Sequence, residues 1–247
     1  ACDTGACVHT PIAGCGEEPE CPSHAAVFDG ASCIEIPDFL NGGTESYTLE
    51  MWFYSDGAES AQRVLDKIVD GDTDQPGFRL TYNDFPTLMD NLHYQEVKQS
   101  GNLHGVMTGK NSVAQGEWIH YAFVRKSTGS AMRYLNGQAL GATQFNATLT
   151  DQSNDTPLWI GCEDFSSLFM TGRIDELRIS AGERYSSDFE VKDVGFVTDD
   201  ETIALYHFDE GAGDEVIDAS GNGHHGTFHG NPAWAQESPV WTESCDP

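Results

Sequence analysis

Two antiparallel β-sheets packed face to face are the fold class that this chain predicts, an all-β sandwich, and three observations carry the reading. Apolar and polar residues alternate in short runs. Gly, Asn and Asp separate those runs every dozen residues or so, and only Glu183 to Glu190 could form a short helix. Many short strands divided by turns close into sandwiches or barrels rather than parallel βαβ units.

The first 24 residues stand apart. Cys2, Cys7, Cys15 and Cys21 lie there among Gly, Pro and Glu, in a stretch too poor in apolar residues to build a core. None makes a C-x-x-C pair, and His9 and His24 are not spaced as a zinc finger. Residues 1–24 therefore read as a segment held by disulfides in an oxidising, extracellular or cell-surface setting. Cys33, Cys162 and Cys245 complete an odd set of seven, whose pairing the sequence leaves open.

Residues 25–247 read as one sandwich domain including its closing strands. In Tyr47 to Tyr54, residues Tyr47, Leu49, Met51 and Phe53 share one face, and Thr48, Glu50, Trp52 and Tyr54 share the other. Further strands are expected at Arg63 to Ile68, Phe78 to Tyr82 and Trp118 to Lys126. Met132 to Leu135 and Gln138 to Ala142 flank Asn136-Gly137, a type I′ hairpin signal because both central residues need positive φ. Leu158 to Gly161, Arg173 to Ser180 and Thr202 to Phe208 complete the set.

Several of these segments together resemble one family. They are Ala26 to Gly30 with Cys33 to Ile36, the strand around Trp52, Trp118 to Val124, Tyr134 to Gly137, Leu158 to Gly161 and Gly172-Arg-Ile-Asp-Glu-Leu-Arg-Ile179. Their order is similar to that of the laminin-G-like, concanavalin-A-like jelly roll of secreted bacterial proteins, over roughly residues 25 to 236. Ala204 to Gly211, Asp218 to Gly223 and Gly226-Thr-Phe resemble a strand and turn that often open such domains, here following the main body. The resemblance implies a module that binds carbohydrate or a surface glycoconjugate, with calcium as its cofactor. A structural or adhesive module that binds protein partners is the alternative, and a polysaccharide hydrolase or lyase a more distant one.

The charge pattern narrows the partners. Lys and Arg number 12 against 40 Asp and Glu, a formal charge of -28, and every basic residue lies between Arg63 and Lys192. Such a surface repels nucleic acid and anionic membranes, and no apolar stretch is long enough to insert into a bilayer. If the two anionic chain ends meet in the fold, their carboxylates crowd. A regular strand would put Asp175 on the face of Leu177 and Ile179, where a charge needs a partner. The resemblance implies calcium at Asp29 and Asp175. Asp70, Asp72 and Asp74 form a second candidate metal loop, which lacks the Gly and Glu positions of an EF-hand.

No catalytic residues are expected. No glucanase E-x-D-x-x-E run, G-x-S-x-G elbow or H-E-x-x-H helix occurs. Gly221-Asn-Gly-His-His-Gly226 matches a dinucleotide spacing, but Gly230 and Pro232 preclude the helix that would bind pyrophosphate. His224, His225 and His229 read as exposed turn residues. Candidate ligand-binding aromatics are Phe85, Tyr94, Phe165 and Phe169, each near polar loop residues.

Overall fold

The computed structural model describes residues 23–40, 43–57, 59–68, 76–85, 87, 89–97, 103–144 and 151–239. Among these residues there is no helix, and all pairings between named strands are antiparallel. The first half supplies β1 (Ala25–Asp29), β2 (Cys33–Ile36), β3 (Tyr47–Ser55), β4 (Gln62–Lys67), β5 (Gly77–Tyr82), β6 (Leu92–Val97), β7 (Leu103–Met107) and β8 (Trp118–Arg125). The second half supplies β9 (Ser130–Leu135), β10 (Gln138–Gln144), β11 (Leu158–Ile160), β12 (Thr171–Ala181), β13 (Thr202–Tyr206), β14 (Glu215–Val216), β15 (Gly226–His229) and β16 (Ala233–Ala235).

One sheet runs β10-β9-β8-β3-β12-β1-β16, with β13 also on β12; the other runs β14-β15-β2-β11-β4-β5-β6-β7. The alternation read from sequence sets the core. Tyr47, Leu49, Met51 and Phe53 face inward against Phe78, Leu80, Tyr82, Leu92 and Tyr94 of the opposite sheet, all of them buried. The Asn136-Gly137 turn has φ of 47° and 75°, as an I′ hairpin requires. Among the described residues the first and last strands do meet, because β16 pairs with β1 and Ala25 lies opposite Ala235.

Two expectations need correction. Asp175 does not share a face with Leu177 and Ile179. A bulge at Glu176, whose φ is 51°, shifts the register between Asp175 and Arg178, so Ile174, Leu177 and Ile179 point inward while Asp175 lies beside Trp52 on the outer face. Residues 183–190 form no helix. The Phe189 N–H bonds to the Gly137 carbonyl at 2.9 Å, and Tyr185 stacks on Phe189 at 3.7 Å over Tyr134, so this segment is a strap across the outer face of the first sheet.

Candidate functional site

On the second sheet, Leu158 and Ile160 point into the core, so Trp159 between them points out. Register places Trp159 opposite Glu35 of β2 on one side and Asp66 of β4 on the other, and continues through Arg79 to Gln95. Four rings gather at the Trp159 end of this row. Phe165 stacks along Trp159 with centroids 6.5 Å apart, His229 lies 5.7 Å from Trp159 and 5.5 Å from Phe165, and Phe169 meets Phe165 edge-on at 5.9 Å. The Glu35 carboxylate sits 2.9 Å from His229 Nε2.

A braced loop presents these rings. Cys162, next after Gly161 at the end of β11, is bonded to Cys33 of β2, directly opposite His229. The Gly161 N–H donates to Val64 O at 3.0 Å and the Arg63 N–H to Leu168 O at 2.8 Å, which ties both ends of loop 161–170 to β4. Within it Asp164, Phe165 and Leu168 adopt φ of 46°, 58° and 51°. Left-handed backbone costs a non-glycine residue about 1–2 kcal/mol, so the framework holds this loop in a shape it would not choose alone. Phe165 is 43% and Leu168 36% exposed as a result.

Beside the rings lies a buried polar layer. The Arg63 guanidinium forms an ion pair with Asp66 at 2.7 Å and donates hydrogen bonds to Glu163 and the Thr81 hydroxyl. Burial pushes the Asp66 carboxyl up to about 7 against the pull of Arg63. Farther along, Asp84 meets His93 at 2.6 Å and Phe85 lies 5.6 Å from the same imidazole. Burial is the largest influence and works against the Asp84 charge, but the His93 hydrogen bond and the charges of His93, Arg79 and Arg63 together outweigh it and hold the carboxyl below its usual range. The arrangement offers apolar ring faces, two imidazole–carboxylate pairs and fixed charges behind them. It suits recognition of a polar ligand with flat apolar faces.

A family model describing concanavalin A-like lectins and glucanases, of laminin-G-like type, matches residues 28–188. The chain belongs to the concanavalin A-like lectin/glucanase superfamily. A candidate carbohydrate-binding protein from Bacteroides ovatus ATCC 8483 superposes on this lectin/glucanase-type domain with a TM-score of 0.63 at 16% identity, over 92% of this chain and 62% of its own. The ligand-binding domain of botulinum neurotoxin serotype D, solved with N-acetylneuraminic acid, gives 0.51 at 10% identity, over 70% and 42%. The chain thus spans less than two thirds of either structure, and the likeness is one of fold. No curated protein matches it in sequence.

In this lectin/glucanase-type domain the expected site residues separate. Phe165 and Phe169 join the ring cluster, and Phe85 is exposed beside His93 on the same sheet. Tyr94 is not a loop residue and not available to a ligand: it lies inside β6, fully buried, stacked on Phe123 at 3.7 Å and bonded to Glu96 at 3.0 Å. Trp159, His229 and Glu35 were not expected at the site, although the alternation Leu158-Trp159-Ile160 already marked the tryptophan as outward.

Asp29 and Asp175 do not converge. Asp29 pairs with Thr171, four residues along β12 from Asp175, a separation of roughly 13 Å at about 3.3 Å per residue. Asp29 accepts the Ala31 N–H at 3.0 Å and the Ser32 hydroxyl at 2.9 Å, as a turn cap. Asp175 accepts the Glu176 N–H at 2.9 Å and the Ser238 hydroxyl at 2.5 Å. Asp70, Asp72 and Asp74 lie outside the described residues, as do Cys2, Cys7, Cys15, Cys21 and Cys245. Among the described residues no three His, Cys, Asp or Glu side chains form a metal-binding group.

Proposed function

We propose that this superfamily member is an extracellular, non-catalytic module that binds carbohydrate across Trp159, Phe165, Phe169 and His229. The observation that carries the reading is the convergence of these rings, partly open to solvent, around the Glu35–His229 pair on the outer face of the second sheet. Pyranose rings present flat C–H faces that stack on aromatics, and their hydroxyls bond to the intervening polar groups. The Bacteroides ovatus protein and the toxin domain share only the fold, so the ligand class rests on the rings themselves. An oxidising compartment is supported by the buried Cys33–Cys162 bond.

A glycan array followed by titration calorimetry tests the proposal. Trp159→Ala is expected to weaken the best ligand at least about tenfold with an unchanged circular dichroism spectrum. An array without signal from a folded chain would overturn it in favour of a structural or adhesive module. One observation favours a hydrolase instead, the raised Asp66 carboxyl near Glu163, yet Arg63 binds both acids and Asp66 is 2% exposed. New reducing ends released from a polysaccharide panel would decide for catalysis. Calcium enters the proposal as a stabilising ion, on the resemblance alone. Elemental analysis checks it, and a calcium-free protein whose melting is indifferent to EDTA removes the ion from the reading.

A further inference from the structure

The charge around the ring cluster is one-sided. The Glu35 side chain is 34% open to solvent, and Asp164, next to Phe165, is exposed with its carboxylate bonded to the Ser166 hydroxyl. The two guanidinium groups on this face are already engaged. Arg63, with a side chain 3% exposed, is enclosed by Asp66, Glu163 and Thr81. Arg79, half-buried one strand beyond Asp66, donates to Gln95 at 2.9 Å and lies in the fields of Asp66, Asp84 and Glu163. Behind them stands a chain of formal charge -28.

Each of these features acts in the same direction on a charged ligand. The faces of Trp159 and Phe165 are electron-rich and attract cations, whereas they gain nothing from an anion. Solvent-facing carboxylates pair with an ammonium and repel a second carboxylate. The net field of the molecule concentrates cations at its surface and dilutes anions. A neutral sugar stacks on the same rings but draws nothing from the sign of the charge around them.

Resting on the carbohydrate reading above, we infer that the ligand of this site is a basic glycan, a sugar chain carrying free protonated amino groups. Glu35 and Asp164 face the ammonium groups, while Trp159 and Phe165 stack on the sugar rings. The botulinum toxin domain was solved with an acidic sugar; this surface selects the opposite sign on the same architecture.

The test titrates the full chain with three tetrasaccharides, at a pH below that of the free amine's deprotonation. They are tetraglucosamine, its fully N-acetylated counterpart and tetragalacturonate. Tetraglucosamine is expected to bind about tenfold tighter than the acetylated form at low salt, from two exposed ion pairs and a cation–π contact. That advantage shrinks at about 500 mM salt, where charges are screened within a few ångströms. Glu35→Gln, which retains a partner for His229, reduces the advantage, and Trp159→Ala weakens both ligands. Equal or tighter binding of the acetylated form overturns the inference and leaves the carbohydrate site standing. So does preference for the uronate, which would assign the ligand charge to Arg79. Tetraglucosamine binding untouched by Trp159→Ala also overturns it, as diffuse attraction to an acidic protein. Failure of all three sugars overturns the inference, and the carbohydrate reading then falls only if the glycan array is silent as well.

Discussion

Whether a single side chain serves core or surface is decided here by parity along its strand. Trp159 is outward because its neighbours are inward, and that much is visible in three letters of sequence. Asp175 shows how parity is lost: one extra residue, Glu176, bends β12 and turns the acid from the core side to the outer face. No pattern in Gly172 to Ile179 marks the bulge, because a glutamate with positive φ is tolerated only when partners hold it. They do, since its carboxylate receives the Phe196 N–H at 2.7 Å and meets His207 at 2.8 Å. Gly161 is a residue of the opposite kind, with φ of 85° and the Phe28 ring only 2.3 Å from where a Cβ would stand. Gly161→Ala should cost about 2–4 kcal/mol in urea unfolding, through strain and overpacking, and should also displace the loop that carries Phe165. An unchanged midpoint would show that Phe28 yields freely.

At the level of elements, the turn between β13 and β15 is organised by one carboxylate. Asp218 accepts the N–H groups of Leu205 at 3.1 Å, Ser220 at 2.9 Å and His224 at 2.9 Å. Burial opposes its charge, but these donors outweigh the penalty and hold the carboxyl below its usual range. The run Asp218 to Gly226 is therefore a scaffold, which explains why its dinucleotide-like spacing carries no cofactor chemistry. Asp218→Ala should destabilise the chain by about 2–3 kcal/mol, measured by chemical denaturation, since it leaves the buried Leu205 N–H and two part-buried donors without their charged acceptor. The strap 183–190 teaches the complementary lesson. Tyr185 and Phe189 have helical spacing, yet the Phe189 N–H is taken up by the β9–β10 hairpin and both rings by Tyr134. Tertiary partners outbid a weak local preference.

Across the whole molecule, the β1–β16 pairing brings the two anionic segments together, and burial separately leaves a set of carboxyls that resist ionisation. Burial, then the Glu176 charge, raises Asp175 well above its usual range; burial also raises Glu210, and takes Asp66 to about 7. In the unfolded chain such acids titrate near 4. Between about pH 4 and pH 7 the folded form therefore holds protons that the unfolded chain releases, so stability falls as pH rises. His207 adds to the trend: burial would lower it, but Glu176 raises it, and that contribution is present at low pH and lost as pH rises through its folded value. Glu50 and Asp84, whose carboxyls are depressed, lose their contributions only below about pH 4. The melting temperature should be higher at pH 5 than at pH 8 by at least about 3 °C, the equivalent of roughly 1 kcal/mol in a chain of this length. Asp66→Asn should flatten that profile in calorimetry. The Cys33–Cys162 bond spans a sequence separation of 129, so replacing both cysteines by alanine should cost about 2–5 kcal/mol of unfolding free energy.

Alternation of apolar residues, the Asn136-Gly137 turn and the charge distribution determined by themselves that this chain forms a two-sheet sandwich with a known core face and an anionic surface. These are local properties with a period of two, and any strand displays them before it finds a partner. Only the tertiary structure decided which outward residues meet. Glu35 and His229 are 194 residues apart in sequence and touch because β2 pairs with β15 and β11 in one register. Register depends on hydrogen bonding between distant strands and on bulges such as that at Glu176. A pattern read along one strand cannot contain either, and the site exists only where several strands are set side by side.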